Sequence, residues 1–169
     1  MNLFCEGFLH RATLSVHLNM KRLLSIAFVL FLYLSPKAQI GTPYSWTYSA
    51  KKTGDNTYEL HFHVDLNSPW HTYSQFTPDG GPVPTQFNFA KNPLYSLDGK
   101  VKENGNLIQK HEAVFGVDVK YFSGKVDFVQ VVKMKTKAKT NFSGTVEFMV
   151  CNDQECLPPA TQHFSIALN

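Results

Sequence analysis

Apolar and polar residues alternate strictly along segment 58–66 of the chain. Side chains of a β-strand point alternately to its two faces, so a period of two predicts a strand with one buried and one solvated face. The same alternation recurs in segments 145–151 and 163–168, and helical periodicity is nearly absent. In segment 58–66 the residues assigned to the buried face are Tyr58, Leu60, Phe62, Val64 and Leu66.

Turn sequences separate the predicted strands. They combine Gly with Asn, Asp, Ser or Pro, the residues that favour tight turns, and they occur at 53–56, 78–82, 98–99, 104–106, 123–124 and 143–144. Seven or more short strands with regular turns in about 130 residues predict an all-β domain with an immunoglobulin-like antiparallel β-sandwich fold. The remaining strands are expected at 44–49, 85–89, 101–110, 117–122 and 125–134.

The N-terminal part of the chain has the pattern of a secretory signal peptide. Met20 is followed by Lys21 and Arg22, by the apolar segment 23–34 and by the small residue Ala38. An apolar segment of about twelve residues is shorter than the ~20 that a transmembrane helix needs. We therefore interpret residues 1–19 as a mis-assigned leader, 20–39 as a signal peptide and 40–169 as the exported domain, in which no transmembrane segment is predicted.

The charge of the exported part argues against nucleic acid as a partner. The whole chain has 16 basic and 13 acidic residues, for a formal charge of +3. Four of the basic residues and one of the acidic residues precede position 40, which leaves twelve of each sign. A protein that binds nucleic acid needs a basic surface that neutralises phosphates, and the balanced charge of the exported part does not supply one.

Two of the three cysteines, Cys151 and Cys156, fall in the exported part. Disulfides persist in oxidising compartments, so this pair is expected to bond. By the chain-entropy estimate, a bond that closes a loop of ~6 residues stabilises a fold by about 2 kcal/mol, compared with ~4.7 kcal/mol for a loop of 100. Exposed or strained bonds are often the labile or catalytic ones. The spacing leaves both a redox-active pair and a minor structural clip open.

A metal site is a third possibility for the cysteines. His61 and His63 share one face of a predicted strand, and His71, His111 and Met149 could join the cysteines around copper or zinc. A His-x-His pattern on a solvated strand face is more often ordinary surface. Two cysteines without a second close Cys or His pair are also a weak zinc signal.

Three segments of the chain resemble one known family. Segment 146–159 (VEFMVCNDQECLPP) resembles the active-site hairpin of the periplasmic N-terminal domain of DsbD, the thiol:disulfide interchange protein. Segment 69–74 (PWHTYS) is similar to the polar-aromatic strand beside the cysteines in that family. Segment 111–116 (HEAVFG) stands where the family has a cap loop with an acidic residue and a phenylalanine. The resemblance extends over essentially the whole exported part, although the family's hairpin has five residues between its cysteines and this chain has four.

The resemblance implies an immunoglobulin-like domain that carries electrons in the periplasm without a cofactor. Such a domain accepts reducing equivalents from a thioredoxin-like protein that is fed by a membrane-embedded electron carrier. It passes them on to periplasmic thioredoxin-like proteins through transient mixed disulfides. It would be an enzyme only in the sense that it turns over between protein partners.

The resemblance also implies a role for each site residue. Cys156 would form the mixed disulfides with partners, and Cys151 would resolve them. Phe115 would shield the pair from oxidants until a partner displaces the cap loop. The remaining residues of the site, which would line it, are Tyr73, His71 and Glu112.

Two alternatives remain open at this stage. The first is a non-catalytic β-sandwich binding module in which the bond between Cys151 and Cys156 is a structural clip. The second is a periplasmic protein that handles copper or zinc.

Overall fold

The computed structural model describes residues 41–113 and 115–169. The predicted leader and signal peptide lie outside these residues, so their boundaries stay predictions. Within the described residues the chain forms strands and no helix long and apolar enough to cross a membrane. The strands are β1 (Tyr44–Gly54), β2 (Thr57–Leu66), β3 (His71–Tyr73), β4 (Gln86–Phe89), β5 (Tyr95–Glu112), β6 (Val117–Met134), β7 (Thr140–Phe148), β8 (Val150–Cys151) and β9 (Ala160–Leu168).

The strands form two antiparallel sheets. The larger sheet has the order β1-β2-β6-β3-β8, and β5 pairs along the other side of β6. The smaller sheet has the order β4-β7-β9. The long strand β6 organises the larger sheet, because its N-terminal half pairs with β3 and its C-terminal half pairs with β2.

The hydrophobic core lies between the two sheets. Every residue that the alternation assigned to the buried face of β2 is buried, from Tyr58 at 7% exposure to Phe62 at 0%. The smaller sheet contributes buried residues of β7 and β9, among them Phe148 and Phe164. The ring of Phe62 lies 4.8 Å from that of Phe164, so aromatic contacts join the sheets directly. The predicted all-β, immunoglobulin-like antiparallel sandwich is confirmed.

Four of the predicted turns are wrong, because their glycines lie inside strands. Gly124 adopts a φ of 74° within β6, at the point where that strand changes its partner from β3 to β2. Gly144 lies within β7, where an added Cβ would collide with the carbonyl oxygen of Asn88 and with the ring of Phe164. A glycine in a strand often marks a bulge or a close approach of another chain segment. The four segments are 98–99, 104–106, 123–124 and 143–144.

Candidate redox site beside strand β3

Cys151 reaches the larger sheet because the chain changes sheets at Met149. Strand β7 ends at Phe148 in the smaller sheet, and β8 then pairs with β3 of the larger sheet, with Cys151 opposite His71. The buried hydroxyl of Thr72 donates a hydrogen bond to the carbonyl oxygen of Met149 at 3.0 Å, which fixes the crossing. The prediction of one continuous strand over 145–151 is therefore wrong at Met149.

Cys151 and Cys156 form a disulfide that closes the tip of the connection between β8 and β9. Their Cα atoms are 4.0 Å apart, and the two residues also pair as an isolated antiparallel bridge. The loop between them has hydrogen bonds of its own. The Asn152 side-chain oxygen accepts bonds from the backbone N–H groups of Gln154 and Glu155, each at 2.8 Å. The Asn152 N–H donates to the carbonyl oxygen of Glu155 at 2.9 Å. The loop is therefore ordered by more than the disulfide.

The two cysteines differ in their access to solvent. Cys151 is only 2% exposed and packs in a small cluster with Tyr73 and Val119. Cys156 is exposed. A thiol that approaches from solvent therefore meets the Cys156 side of the bond, while Cys151 is covered by the sheet.

The side chains of His71 and Tyr73 lie beside the buried cysteine. The His71 Nε2 and the Tyr73 hydroxyl are 3.2 Å apart, and the His71 ring lies 4.5 Å from the ring of Tyr121. Burial lowers the pKa of His71, although the carboxylates of Asp153 and Glu112 partly oppose this shift. Burial, with a smaller contribution from Glu112, raises the pKa of Tyr73 to about 12. Both side chains are therefore mainly uncharged at neutral pH.

Glu112 and Phe115 lie at the tip of the hairpin that joins β5 to β6. Glu112 pairs with Val117, and the carbonyl oxygen of Glu112 accepts bonds from the N–H groups of Phe115 and Gly116 at 3.1 and 2.8 Å. Val117 packs against the cluster of Tyr73, Val119 and Cys151, so this tip lies near the site. Phe115 is 37% exposed. Its role as a shield stays a prediction.

Sequence reasoning missed the polar contacts that hold the end of β3. The Thr85 hydroxyl donates to the carbonyl oxygen of Tyr73 at 2.6 Å. The carboxylate of Glu103 accepts bonds from the Ser74 hydroxyl and from the Gln75 N–H, both at 2.7 Å. Ser74 and Thr85 are buried, so these bonds satisfy groups that cannot reach water. No short-range sequence pattern indicates Glu103, which lies 29 residues from Ser74.

The histidines of the metal alternative are not brought together. His61 Nδ1 lies 2.7 Å from a carboxylate oxygen of Asp127, and His111 Nδ1 lies 2.9 Å from one of Asp118. Only His71 is paired with one of the cysteines. Over residues 41–113 and 115–169, the structure contains no group of three or more His, Cys, Asp or Glu side chains placed to hold a metal ion.

Three solved structures are similar to this chain at low sequence identity. The N-terminal periplasmic domain of ScsB from Proteus mirabilis is 18% identical with a TM-score of 0.49, and the match covers 78% of this chain and 48% of that one. The reduced DsbD N-terminal domain of Neisseria meningitidis is 13% identical with a TM-score of 0.47, and the match covers 73% of this chain and 86% of that one. The collagen-binding domain of a Staphylococcus aureus adhesin is 7% identical with a TM-score of 0.38, and the match covers 76% of this chain and 99% of that one. This chain thus spans about half the length of the ScsB structure.

The family comparison gives the assignment. No curated protein sequence matches the chain significantly. The sequence model described as "Thiol:disulfide interchange protein DsbD, N-terminal" matches residues 39–168, which include both cysteines, strand β3 and the β5–β6 tip. Since this match spans well over half of the chain, the protein belongs to the family of N-terminal domains of the thiol:disulfide interchange protein DsbD.

Proposed function

We propose that this domain is an electron relay of the periplasm. It accepts reducing equivalents from a thioredoxin-like donor and passes them to periplasmic proteins that contain disulfides, by thiol–disulfide exchange at Cys151 and Cys156. The family assignment supports exchange chemistry in general terms. The observation that carries the proposal is that the two cysteines of the disulfide are unequally buried. Cys156 is exposed, whereas Cys151 is only 2% exposed.

The unequal burial suggests an order of events for the reduction of the domain. Exchange begins when a thiolate attacks one sulfur of a disulfide, and access decides which sulfur is attacked. A donor thiolate bonds to the sulfur of Cys156, and Cys151 leaves with the electron pair of the broken bond and takes up a proton. The second thiol of the donor then attacks the donor's own sulfur in the mixed disulfide and expels Cys156. The donor is oxidised by two electrons and the domain becomes a dithiol.

Delivery of the electrons reverses these roles. The Cys156 thiolate attacks the disulfide of an acceptor, which leaves one acceptor thiolate and a mixed disulfide through Cys156. Cys151 then attacks the sulfur of Cys156 and expels the second acceptor thiolate. The acceptor gains two electrons and two protons, and the Cys151–Cys156 bond forms again. The short distance between the two Cα atoms, 4.0 Å, suits this resolving step.

The surroundings of the pair provide little to stabilise a free thiolate. Thiolates are favoured next to Lys, Arg or protonated His. His71 is the imidazole beside Cys151, and its lowered pKa leaves it mainly uncharged at neutral pH. Asp153 and Glu155 add negative charge from the loop between the cysteines. A dithiol in this setting holds its electrons until a partner binds instead of reacting with every disulfide it meets.

Mixing the oxidised domain with an equimolar amount of reduced thioredoxin tests the proposal. We expect the domain to gain two alkylatable thiols within minutes while thioredoxin loses two, which mass spectrometry after acid quenching and alkylation will count. A Cys151→Ala/Cys156→Ala double variant is the control and leaves thioredoxin reduced. A bond that stays intact for hours in the presence of reduced thioredoxin would favour the structural-clip alternative.

A further inference from the structure

The loop between the cysteines carries two carboxylates close in sequence to the exposed Cys156. Glu155 directly precedes Cys156, and Asp153 lies two residues earlier. Both side chains belong to exposed residues. Neither forms an ion pair with any lysine or histidine of the residues that the structure describes. Two carboxylates without an ion-pair partner among the described residues thus belong to the same short loop as the cysteine that a partner must reach.

Hydrogen bonds order the backbone of the loop that carries these two residues. The Asn152 side-chain oxygen accepts a hydrogen bond from the Glu155 N–H at 2.8 Å, and the Asn152 N–H donates one to the Glu155 carbonyl oxygen at 2.9 Å. The Leu157 N–H then donates to the carbonyl oxygen of Val150 at 2.9 Å, which closes the base of the loop. The backbone of the loop is therefore fixed on both sides of Asp153, and both carboxylates stay in the loop that ends at Cys156.

The charges around the loop do not offset the two carboxylates. His71 is mainly uncharged at neutral pH. On the neighbouring hairpin, the Lys110 Nζ is 3.3 Å from a carboxylate oxygen of Glu112, so this cation already faces a carboxylate. The His111 Nδ1 is likewise 2.9 Å from a carboxylate oxygen of Asp118. A lysine-rich segment follows strand β6 at the other end of the sandwich. There the Met134 N–H donates a hydrogen bond to the carbonyl oxygen of Asn56, in the turn between β1 and β2. The members of that segment are Lys135, Lys137 and Lys139.

The species that attacks a disulfide is itself an anion. A thiolate that approaches Cys156 carries a charge of −1 into a region that already holds two negative charges. At low ionic strength the Debye length is about 30 Å, so these charges act on the approaching molecule almost unscreened. By Coulomb's law in water, one carboxylate at about 8 Å changes the local concentration of a singly charged molecule by roughly twofold.

We propose that Asp153 and Glu155 select exchange partners by charge, so that Cys156 reacts with thiols carried on a cationic surface and disfavours anionic thiols. The inference rests on the exchange function proposed above and names the kind of partner. That partner is a thioredoxin-like dithiol protein with Lys or Arg residues beside its attacking cysteine. In the first step its sulfur bonds to the sulfur of Cys156, and Cys151 leaves with the electron pair and takes a proton from solvent.

Small thiols of different charge test this selection directly. The probes are cysteamine, which is cationic, 2-mercaptoethanol, which is neutral, and 3-mercaptopropionate, which is anionic. Each rate of attack on the oxidised domain is divided by the rate of the same thiol with bis(2-hydroxyethyl) disulfide, an uncharged reference that corrects for intrinsic reactivity. We expect cysteamine to exceed 3-mercaptopropionate by about tenfold at about 0.01 M ionic strength and by less than about twofold at about 1 M.

A pair of double variants separates local charge from net charge. Asp153→Asn with Glu155→Gln is expected to reduce the tenfold preference to about twofold or less. Asp55→Asn with Glu59→Gln changes the net charge equally and is expected to leave the preference intact. Glu59 pairs with Val131, eight residues along β6 from the Ser123 that pairs with His71, which is roughly 26 Å of extended strand.

The outcomes distinguish this inference from the function on which it rests. Equal normalised rates for the three thiols, with the bond reduced by all of them, would overturn the charge selection and leave the exchange function standing. The same loss of preference in both double variants would overturn it too, because net charge alone would then account for the effect. If none of the thiols reduces the bond, the exchange function fails and the charge selection fails with it.

Discussion

Replacing Cys151 with alanine is expected to turn the domain into a covalent trap for its partners. In this variant Cys156 remains exposed and can attack a partner disulfide, but Cys151, the domain's own resolving sulfur, is missing. A partner that also lacks its second active-site cysteine then has no thiol that can expel Cys156. We expect such a partner to accumulate as a complex linked through Cys156. The purified variant is incubated with a thioredoxin that keeps only its attacking cysteine, activated as a mixed disulfide with 2-nitro-5-thiobenzoate, which leaves when Cys156 attacks. Non-reducing electrophoresis measures the amount of complex, and dithiothreitol should release it.

The Cys156→Ala variant is the matched control for this experiment. It keeps one free cysteine, but that residue is Cys151, which is 2% exposed and packed against Tyr73 and Val119. We expect at least tenfold less complex than with Cys151→Ala. Equal trapping by the two variants, or more by Cys156→Ala, would contradict the roles proposed for the two sulfurs.

Replacing Phe62 with alanine is expected to lower the free energy of unfolding by about 3–5 kcal/mol. The Phe62 side chain is fully buried, and its ring lies 5.0 Å from that of Phe87 and 4.8 Å from that of Phe164. Those two rings come from the smaller sheet, so the substitution opens a cavity between the two layers. Urea unfolding, followed by tryptophan fluorescence, measures the loss.

Phe76→Ala is the matched control, since it removes the same side chain from a site that is 59% exposed. We expect this control to change the free energy of unfolding by no more than about 0.5 kcal/mol. Phe62→Leu keeps most of the volume and provides a folded comparison if Phe62→Ala does not fold. A loss below about 1 kcal/mol for Phe62→Ala would contradict the place of this ring in the core.

The strands that carry the core could be predicted from the sequence because their pattern is local. In β2, buried and partly exposed residues alternate from Tyr58 to Leu66. This pattern follows from the geometry of a single strand that has the apolar core on one of its two faces. The same holds for Phe164, Ile166 and Leu168 in β9. A period of two in several segments is enough to indicate a sandwich.

The path of the chain between the strands could not be predicted in the same way. Gly144 looks like a turn residue in the sequence, but it is required by the carbonyl of Asn88 and the ring of Phe164, which come from other strands. The crossing at Met149 was missed because the alternation of apolar residues continues through it. Both features depend on contacts between residues that are far apart in the sequence.

The candidate site residues and the unequal roles of the two cysteines were indicated by the family resemblance and not by the spacing of the cysteines, and the roles stay predictions. The family resemblance indicated His71 beside the cysteines, and the structure pairs His71 with Cys151. Spacing alone could not reveal that Cys151 is covered while Cys156 is exposed, because the cover comes from β3 and β6. Glu103 was missed for the same reason, since it holds the end of β3 from a distant strand.

The reduction potential of the Cys151–Cys156 pair tests most directly the claim that this disulfide is a redox site. The purified domain is equilibrated with dithiothreitol buffers of increasing reducing strength, and the fraction of reduced protein is counted by alkylation and mass spectrometry. We predict a midpoint above about −300 mV, in the range where a thioredoxin at about −270 mV can exchange electrons with the pair. A midpoint below about −300 mV would indicate a structural bond and would contradict the account.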